Sequence, residues 1–448
     1  MNIFFPEPDI EVGKDGFERK CDLGRAESGK KLSELVEKIS EPVVIAVDGP
    51  WGSGKSHFLK LWTGAHTLEN DGSAKVIYFD AFKHDYFDDP LVALVGQILE
   101  DYSEDKTPDG KMKTFLKQAG RLVKPATRIA LAAGAGFVGE ALGKAFEKGT
   151  EALAKEGEKA LDPVWENESN RRNAMEGFKT ALKDLTIENG SKDKPQKIVI
   201  IVDELDRCRP DFALNMLETI KHFFAVENVI FVLGVNLGEL ENSVKARYGA
   251  EIDAGKYLQK FIHIRYELPP KIGDYEKVDA WEVYYTKTAT KLDLSKTLTD
   301  HLKRYLKSLP DSANLSLREI QRVLTVLALI PGSGVKGALN NKIWGWSAVI
   351  VGLATLKCFH PSLYKKARIG TLSYGEMVSV FAMLDTENQS FDQWENRVWA
   401  EIFDEPWDKE KFGTSKGPFG PFGLRGTDRF IQKISEEYLE AFEIMDPM

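Results

Sequence analysis

Eight consecutive residues carry the densest chemistry in this chain: Gly49-Pro50-Trp51-Gly52-Ser53-Gly54-Lys55-Ser56. Their glycine spacing and the closing Lys-Ser pair complete the pattern of a phosphate-cradling loop. Glycine there lets successive backbone N–H groups converge on phosphate oxygens, and a following helix adds its positive end. Lys55 would supply a point charge to the β- and γ-phosphates, the Ser56 hydroxyl would ligand Mg2+, and His57 would extend the phosphate-binding segment. A second cluster is Asp203-Glu204-Leu205-Asp206-Arg207, which follows Ile198-Val199-Ile200-Ile201-Val202. A carboxylate at a strand tip, Asp203, can hold Mg2+ through its water shell. Its neighbour Glu204 is suited to orient or deprotonate an attacking water. Asn236 ends another apolar run, where a polar side chain can hydrogen-bond a γ-phosphate or that water.

These residues need strands to carry them and helices to return the chain. Residues 43–47, 75–79, 198–202, 229–235 and 261–268 read as strands, the last closed by Pro269-Pro270. Residues 57–62, 91–99 and 212–226 read as helices between them. Five strands with helical crossovers predict an α/β, doubly wound parallel-sheet P-loop NTPase core. Segment 26–39, with Leu32, Leu35, Val36 and Ile39 at helical spacing, is either an adenine-side element or an ordinary packing helix. Asp80, Lys83 and His84 follow the second strand, at the edge where ligands bind in open α/β sheets. They are nucleotide-proximal candidates, or else a capped strand end with solvated charges.

The long interval between Lys55 and Asp203 predicts a helical insert at about 103–195, modular and dispensable for nucleotide binding. The domain reading is 1–40 N-terminal segment, 41–270 core with the insert, 271–330 helical lid and 331–448 C-terminal helical or irregular region. Residues 416–423, Lys-Gly-Pro-Phe-Gly-Pro-Phe-Gly, read as an exposed aromatic loop.

Composition narrows the function. A net charge of −9 over 448 residues argues against a protein that mainly coats nucleic acid, and a nucleic-acid motor is the disfavoured third reading. Cys21, Cys208 and Cys358 share no close spacing, so no disulfide framework or zinc site is expected. The apolar runs 129–138 and 343–356 fall short of the ~20 residues that span a bilayer, so no transmembrane span is expected. A cytoplasmic location follows as the expectation.

Several segments together resemble the KAP family of P-loop NTPases. They are Asp22-Leu23-Gly24-Arg25, the loop 49–56, Phe79-Asp80-Ala81-Phe82-Lys83, Asp203-Glu204-Leu205-Asp206-Arg207-Cys208, Tyr257-Leu258 with Lys260-Phe261-Ile262, and Leu268-Pro269. The resemblance covers about residues 20–330. It implies an AAA+-related ATPase of the additional-strand group, and prokaryotic members are associated with phage exclusion and defence. Two departures stand out. Many members carry transmembrane helices between the two nucleotide motifs, where this chain has a short small-residue stretch. The sensor position, commonly Asp, is Asn236 here. Ser316-Leu317-Arg318 resembles the lid segment, making Arg318 a candidate γ-phosphate sensor or a solvated arginine.

The expected ligand is therefore ATP with Mg2+, and the expected activity is phosphoanhydride hydrolysis that drives or times assembly with a protein effector. The alternative is a nucleotide-binding switch with negligible turnover. Related ATPases complete such a site with a basic residue from the adjacent subunit. Hence an ATP-dependent homo-oligomer is expected, with Lys260, Arg265, Arg207 and Arg209 as the trans candidates. For Arg207 and Arg209, a local pair with Asp206 or Asp211 is the competing expectation.

Overall fold

A computed structural model describes residues 10–21, 23–87, 89–103, 110–122, 168–187, 196–269, 271–272, 278–310, 315–337, 339, 344–381, 392–405, 418–419 and 429–440. The chain forms two compact units, one spanning Ile10–Pro269 and the other holding the elements C-terminal to it.

The first unit is built on five strands: β1 Val43–Asp48, β2 Lys75–Asp80, β3 Ile198–Asp203, β4 Val229–Val235 and β5 Ile264–Glu267. They lie in the order β2-β3-β4-β1-β5, and every pairing is parallel. β3 and β4 are buried at every position, as strands covered on both faces must be. The edge strands β2 and β5 keep partly exposed positions. Side chains alternate strictly between two cores. Val44, Ala46, Ile200, Val202, Phe231 and Leu233 face one core, while Ile45, Val47, Val199, Ile201, Ile230 and Val232 face the other.

The helices in order are α1 Phe17–Lys20, α2 Ala26–Lys38, α3 Lys55–Leu68, α4 Ala81–His84, α5 Pro90–Ser103, α6 Gly110–Leu122, α7 Glu168–Leu185, α8 Pro210–Phe223, α9 Leu237–Tyr248 and α10 Ala254–Leu258. α2 packs against α3 through ordinary buried contacts: Leu32 and Val36 are inaccessible, and the Trp62 indole donates to the Gly29 carbonyl at 3.0 Å. The other face is covered by α5 to α10. There the aromatic rings of Phe115, Phe178, Phe224 and Phe231 form a chain with centroids 5.2, 5.3 and 5.5 Å apart.

That chain bears on the expected insert. Phe115 on α6 and Phe178 on α7 belong to the main core, together with Met112, Ala181 and Leu182. The described ends of segment 103–195 thus pack into the core of this unit. Its small-residue stretch, with Gly139 and Gly143, lies outside the described residues.

The second unit is helical: α11 Ala280–Lys291, α12 Lys296–Lys307, α13 Leu317–Leu329, α14 Trp344–Phe359, α15 Pro361–Ile369, α16 Tyr374–Val380, α17 Asp392–Ile402 and α18 Phe430–Ile434. α14 is apolar because it is the centre of this unit. Its residues Ala348 to Leu356 are almost wholly buried, and Trp399 and Tyr305 pack around it. Among the described residues, no helix is long and apolar enough to cross a membrane. Phe419, expected on an exposed loop, is 6% exposed and packs edge-on against Phe430 at 5.6 Å.

Candidate functional site

Parallel strands deliver their C-terminal residues to one edge, and register decides which meet there. Asp80 lies beside Asp203, Asp203 beside Gly234, and Asp48 beside Val235. The loop after β1 enters α3 through Gly52 (φ 78°) and Gly54 (φ 84°), left-handed positions that favour glycine. Lys55 opens α3, and its buried ammonium donates to the Gly49 carbonyl at 2.5 Å and to the Pro50 carbonyl at 3.1 Å. Burial lowers its proton affinity, an effect opposed by Asp206, Asp203 and Asp48 and reinforced by Arg207. The Ser53 hydroxyl is buried with no hydrogen-bond partner among the described residues. Half-buried His57 follows on the same first turn.

The two motifs that are far apart in sequence meet here: Ser56 Oγ lies 3.4 Å from Glu204 Oε1. Asp203 is 1% exposed. Its Oδ2 accepts from the Tyr78 hydroxyl at 2.7 Å and its Oδ1 from the Glu204 N–H at 2.9 Å. Burial pushes its carboxyl up to about 6, against the Tyr78 and Ser56 hydrogen bonds and with help from the Glu204 charge. Tyr78 moves upward too, through burial and then the Asp203 charge, so it remains a donor. Gly234 makes this approach feasible, since a Cβ there would meet Asp203 Oδ1 at 2.1 Å.

Glu204 sits at φ 59° and caps a short turn, Leu205–Arg207. That turn brings Arg207 back, with Nη1 2.9 Å from both Glu204 carboxylate oxygens. The expected partners of the two arginines are therefore corrected. Arg207 pairs with Glu204, because a single 3-10 turn aligns residues three apart. Arg209 donates its backbone N–H to the Asp85 carboxylate and its guanidinium to the Asp85 and Phe87 carbonyls. Asp206 instead accepts from the Trp51 indole at 2.6 Å, tying the phosphate loop to the Asp203 turn. Asp211 pairs with Arg247.

The remaining candidates divide. Arg265 is paired with Asp48 at 2.7 Å and Glu267 at 2.9 Å. Asp48 Oδ1 also accepts from the Leu237 N–H at 2.9 Å. Asn236 caps α9, accepting from the Gly238 N–H at 3.1 Å. Lys260 is exposed, with its ammonium 5.1 Å from the Tyr257 ring. Asp80 caps α4 and pairs with Lys83 at 3.3 Å, while the His84 ring contacts the Asp80 carbonyl at 2.7 Å. These three residues are occupied locally, as strand-end chemistry requires. Arg318 lies in the second unit, exposed on the first turn of α13, whose Ser316–Glu319 capping box fixes the helix start.

Two residues at the site had no role assigned from sequence. Tyr78 hides within a strand, where an aromatic is expected on packing grounds alone. Arg25, at the N-terminal end of α2, is 4% exposed. Its Nη1 donates to the Gly54 carbonyl at 3.4 Å, and its Nε is buried without a hydrogen-bond partner among the described residues. Burial lowers it to about 10, with Cys21 opposing, so it is a cation at neutral pH beside the phosphate loop. The Gly24-Arg25 pair preceding a helical pattern was the available signal.

The donor set suits the expected ligands. Hydroxyl and carboxylate oxygens from Ser56 and Asp203 are the hard ligands Mg2+ takes alongside substrate phosphates. The partnerless Ser53 hydroxyl, the α3 N-terminus and the buried Lys55 cation make an anion cradle.

No curated protein matches the chain. Among solved structures, the ORC2 protein of Aeropyrum pernix, solved as ADPNP-ADP complexes, is similar at 11% identity over 92% of this chain and 93% of that one, with a TM-score of 0.35. The family model described as "KAP family P-loop domain" matches residues 25–331. The chain belongs to the KAP family of P-loop NTPases.

Proposed function

We propose that this protein binds Mg-ATP at the β1–α3 loop and hydrolyses it, using turnover to drive or time assembly with a protein effector. The observation that carries the reading is the meeting of Ser56 with Glu204 at 3.4 Å beside the buried Asp203. Lys55 would exchange its loop carbonyls for phosphate oxygens, and Gly49 to Ser56 with His57 would surround them. Ser56 and Asp203 would hold Mg2+, which supplies charge neutralisation on the phosphates. Glu204 would accept the proton of the attacking water or orient it, with Asn236 as a second hydrogen-bond partner. Arg318 remains the lid candidate. Membership of the KAP family, whose prokaryotic members are associated with phage exclusion, supports a place in antiviral defence, and a cytoplasmic site of action belongs to the same reading.

The test separates binding from chemistry. Lys55→Ala should abolish tight Mg-ATP binding, read by calorimetry. Glu204→Gln should bind like the parent yet lose hydrolysis. Parent-rate turnover by the Glu204 variant would refute its assignment. A nucleotide-binding switch is the second reading. It is favoured by the engagement of both Glu204 oxygens with Arg207 and of the Asn236 oxygen with Gly238. It predicts binding by the parent without measurable turnover.

A further inference from the structure

We infer that Arg207 is a positioning residue that restrains Glu204, and that turnover requires its guanidinium to leave the carboxylate. The inference rests on the reading of Glu204 as the group acting on water. Nη1 of Arg207 straddles the carboxylate, 2.9 Å from Oε1 and 2.9 Å from Oε2. A carboxylate held this way offers its lone pairs to a fixed cation instead of to a water proton.

The geometry also says which partner moves. Glu204 is held from its own backbone: its N–H donates to the Gly234 carbonyl at 3.1 Å and to Asp203 Oδ1 at 2.9 Å. Its left-handed φ of 59° is set by the turn that joins β3 to Pro210–Phe223. Arg207 has a looser support, the ring of Phe82 at 6.0 Å, and Phe82 is itself 47% exposed. The Arg207 side chain, 27% exposed against 20% for Glu204, is the longer of the two and has the more rotatable bonds, so it is the partner that swings. Arg207 also adds positive potential at Lys55. Glu204 Oε1, which Arg207 holds, also lies 3.4 Å from Ser56 Oγ at the phosphate loop, so an anion bound at that loop competes with Glu204 for the guanidinium. That competition makes nucleotide itself the releasing agent and leaves the empty site restrained.

This role has the opposite sign from an arginine that stabilises transferring phosphate, whose removal lowers turnover. The experiment compares the parent with Arg207→Ala, Arg207→Lys, Glu204→Gln and the Glu204→Gln/Arg207→Ala double variant. Mg-ATP binding is followed by calorimetry, hydrolysis by steady-state rates, and stability by denaturation with and without Mg2+ and a non-hydrolysable ATP analogue. The pair is partly solvent-screened, so Arg207→Ala should raise kcat by about two- to fivefold with KM little changed. Arg207→Lys should fall between, because a compact ammonium lacks the guanidinium fork. The double variant should be as inactive as Glu204→Gln alone.

In the stability cycle the two substitutions should be non-additive in the empty protein and additive with the analogue bound. A lowered or unchanged kcat in Arg207→Ala overturns the inference, as does non-additivity that persists with the analogue. If the parent does not bind Mg-ATP, the functional reading falls and the restraint with it.

Discussion

Asp203 shows how a single residue is prepared by its neighbours. A carboxylate at 1% exposure is costly unless its oxygens are satisfied, and here Tyr78 and the Glu204 amide satisfy them. Gly234 supplies the space on the adjacent strand. Tyr78→Phe keeps the ring and removes the donor, leaving Oδ2 short of a partner in a buried place. The expected cost is ~1–3 kcal/mol of unfolding free energy, read from denaturant titration of the nucleotide-free protein. A loss under half a kilocalorie would mean that Asp203 does not depend on Tyr78. Since Mg2+ would offer the oxygen a new partner, added Mg-ATP should shrink the difference between Tyr78→Phe and the parent.

At the scale of elements, the segment between the two nucleotide motifs shows what sequence periodicity can and cannot say. Met112, Phe115, Ala119 and Leu122 recur at helical spacing, so α6 was legible as a helix. Its destination was not, because an amphipathic stripe does not say which core it covers. The Phe115–Phe178–Phe224–Phe231 chain answers that, linking α6 and α7 to α8 and β4. Phe178→Ala should therefore cost ~3–5 kcal/mol, as for other fully buried aromatics. A deletion of 103–195 removes Phe115 and Phe178 from the core and should fail to fold. Calorimetry of the deletion variant decides it: a folded, ATP-binding 103–195 deletion would contradict the core assignment.

For the whole molecule, the question is what completes the site. Three of the four basic residues considered for a shared site are committed locally: Arg207 to Glu204, Arg209 to the Asp85 and Phe87 backbone, and Arg265 to Asp48 and Glu267. Lys260 is exposed and makes no ion pair among the described residues, which leaves it best suited to reach an adjacent subunit. Lys260→Ala should keep nucleotide affinity and lose turnover by ~10-fold or more. Mixing it with Lys55→Ala should restore part of the activity, since a shared site can be rebuilt from two differently damaged copies. A monomer at micromolar concentration, with specific activity independent of concentration, would rule this out.

The sequence by itself determined the parallel α/β core, its phosphate loop and the family. Each of these is written in local patterns: aliphatic runs ending in Asp or Asn, glycines where the backbone must turn left-handed, and Lys-Ser at a helix start. It could not determine which charges meet. Asp206 could have paired with either arginine by proximity in sequence, yet a 3-10 turn gives Arg207 to Glu204 and leaves Asp206 to Trp51. Tyr78 and Asp203 come from strands 125 positions apart and touch only because β2 and β3 pair in register. Local pattern fixes the conformation of a segment through backbone sterics and burial on one face. Electrostatic partnership instead falls off over a few ångströms, so it is decided only once the sheet has set which strand tips share an edge.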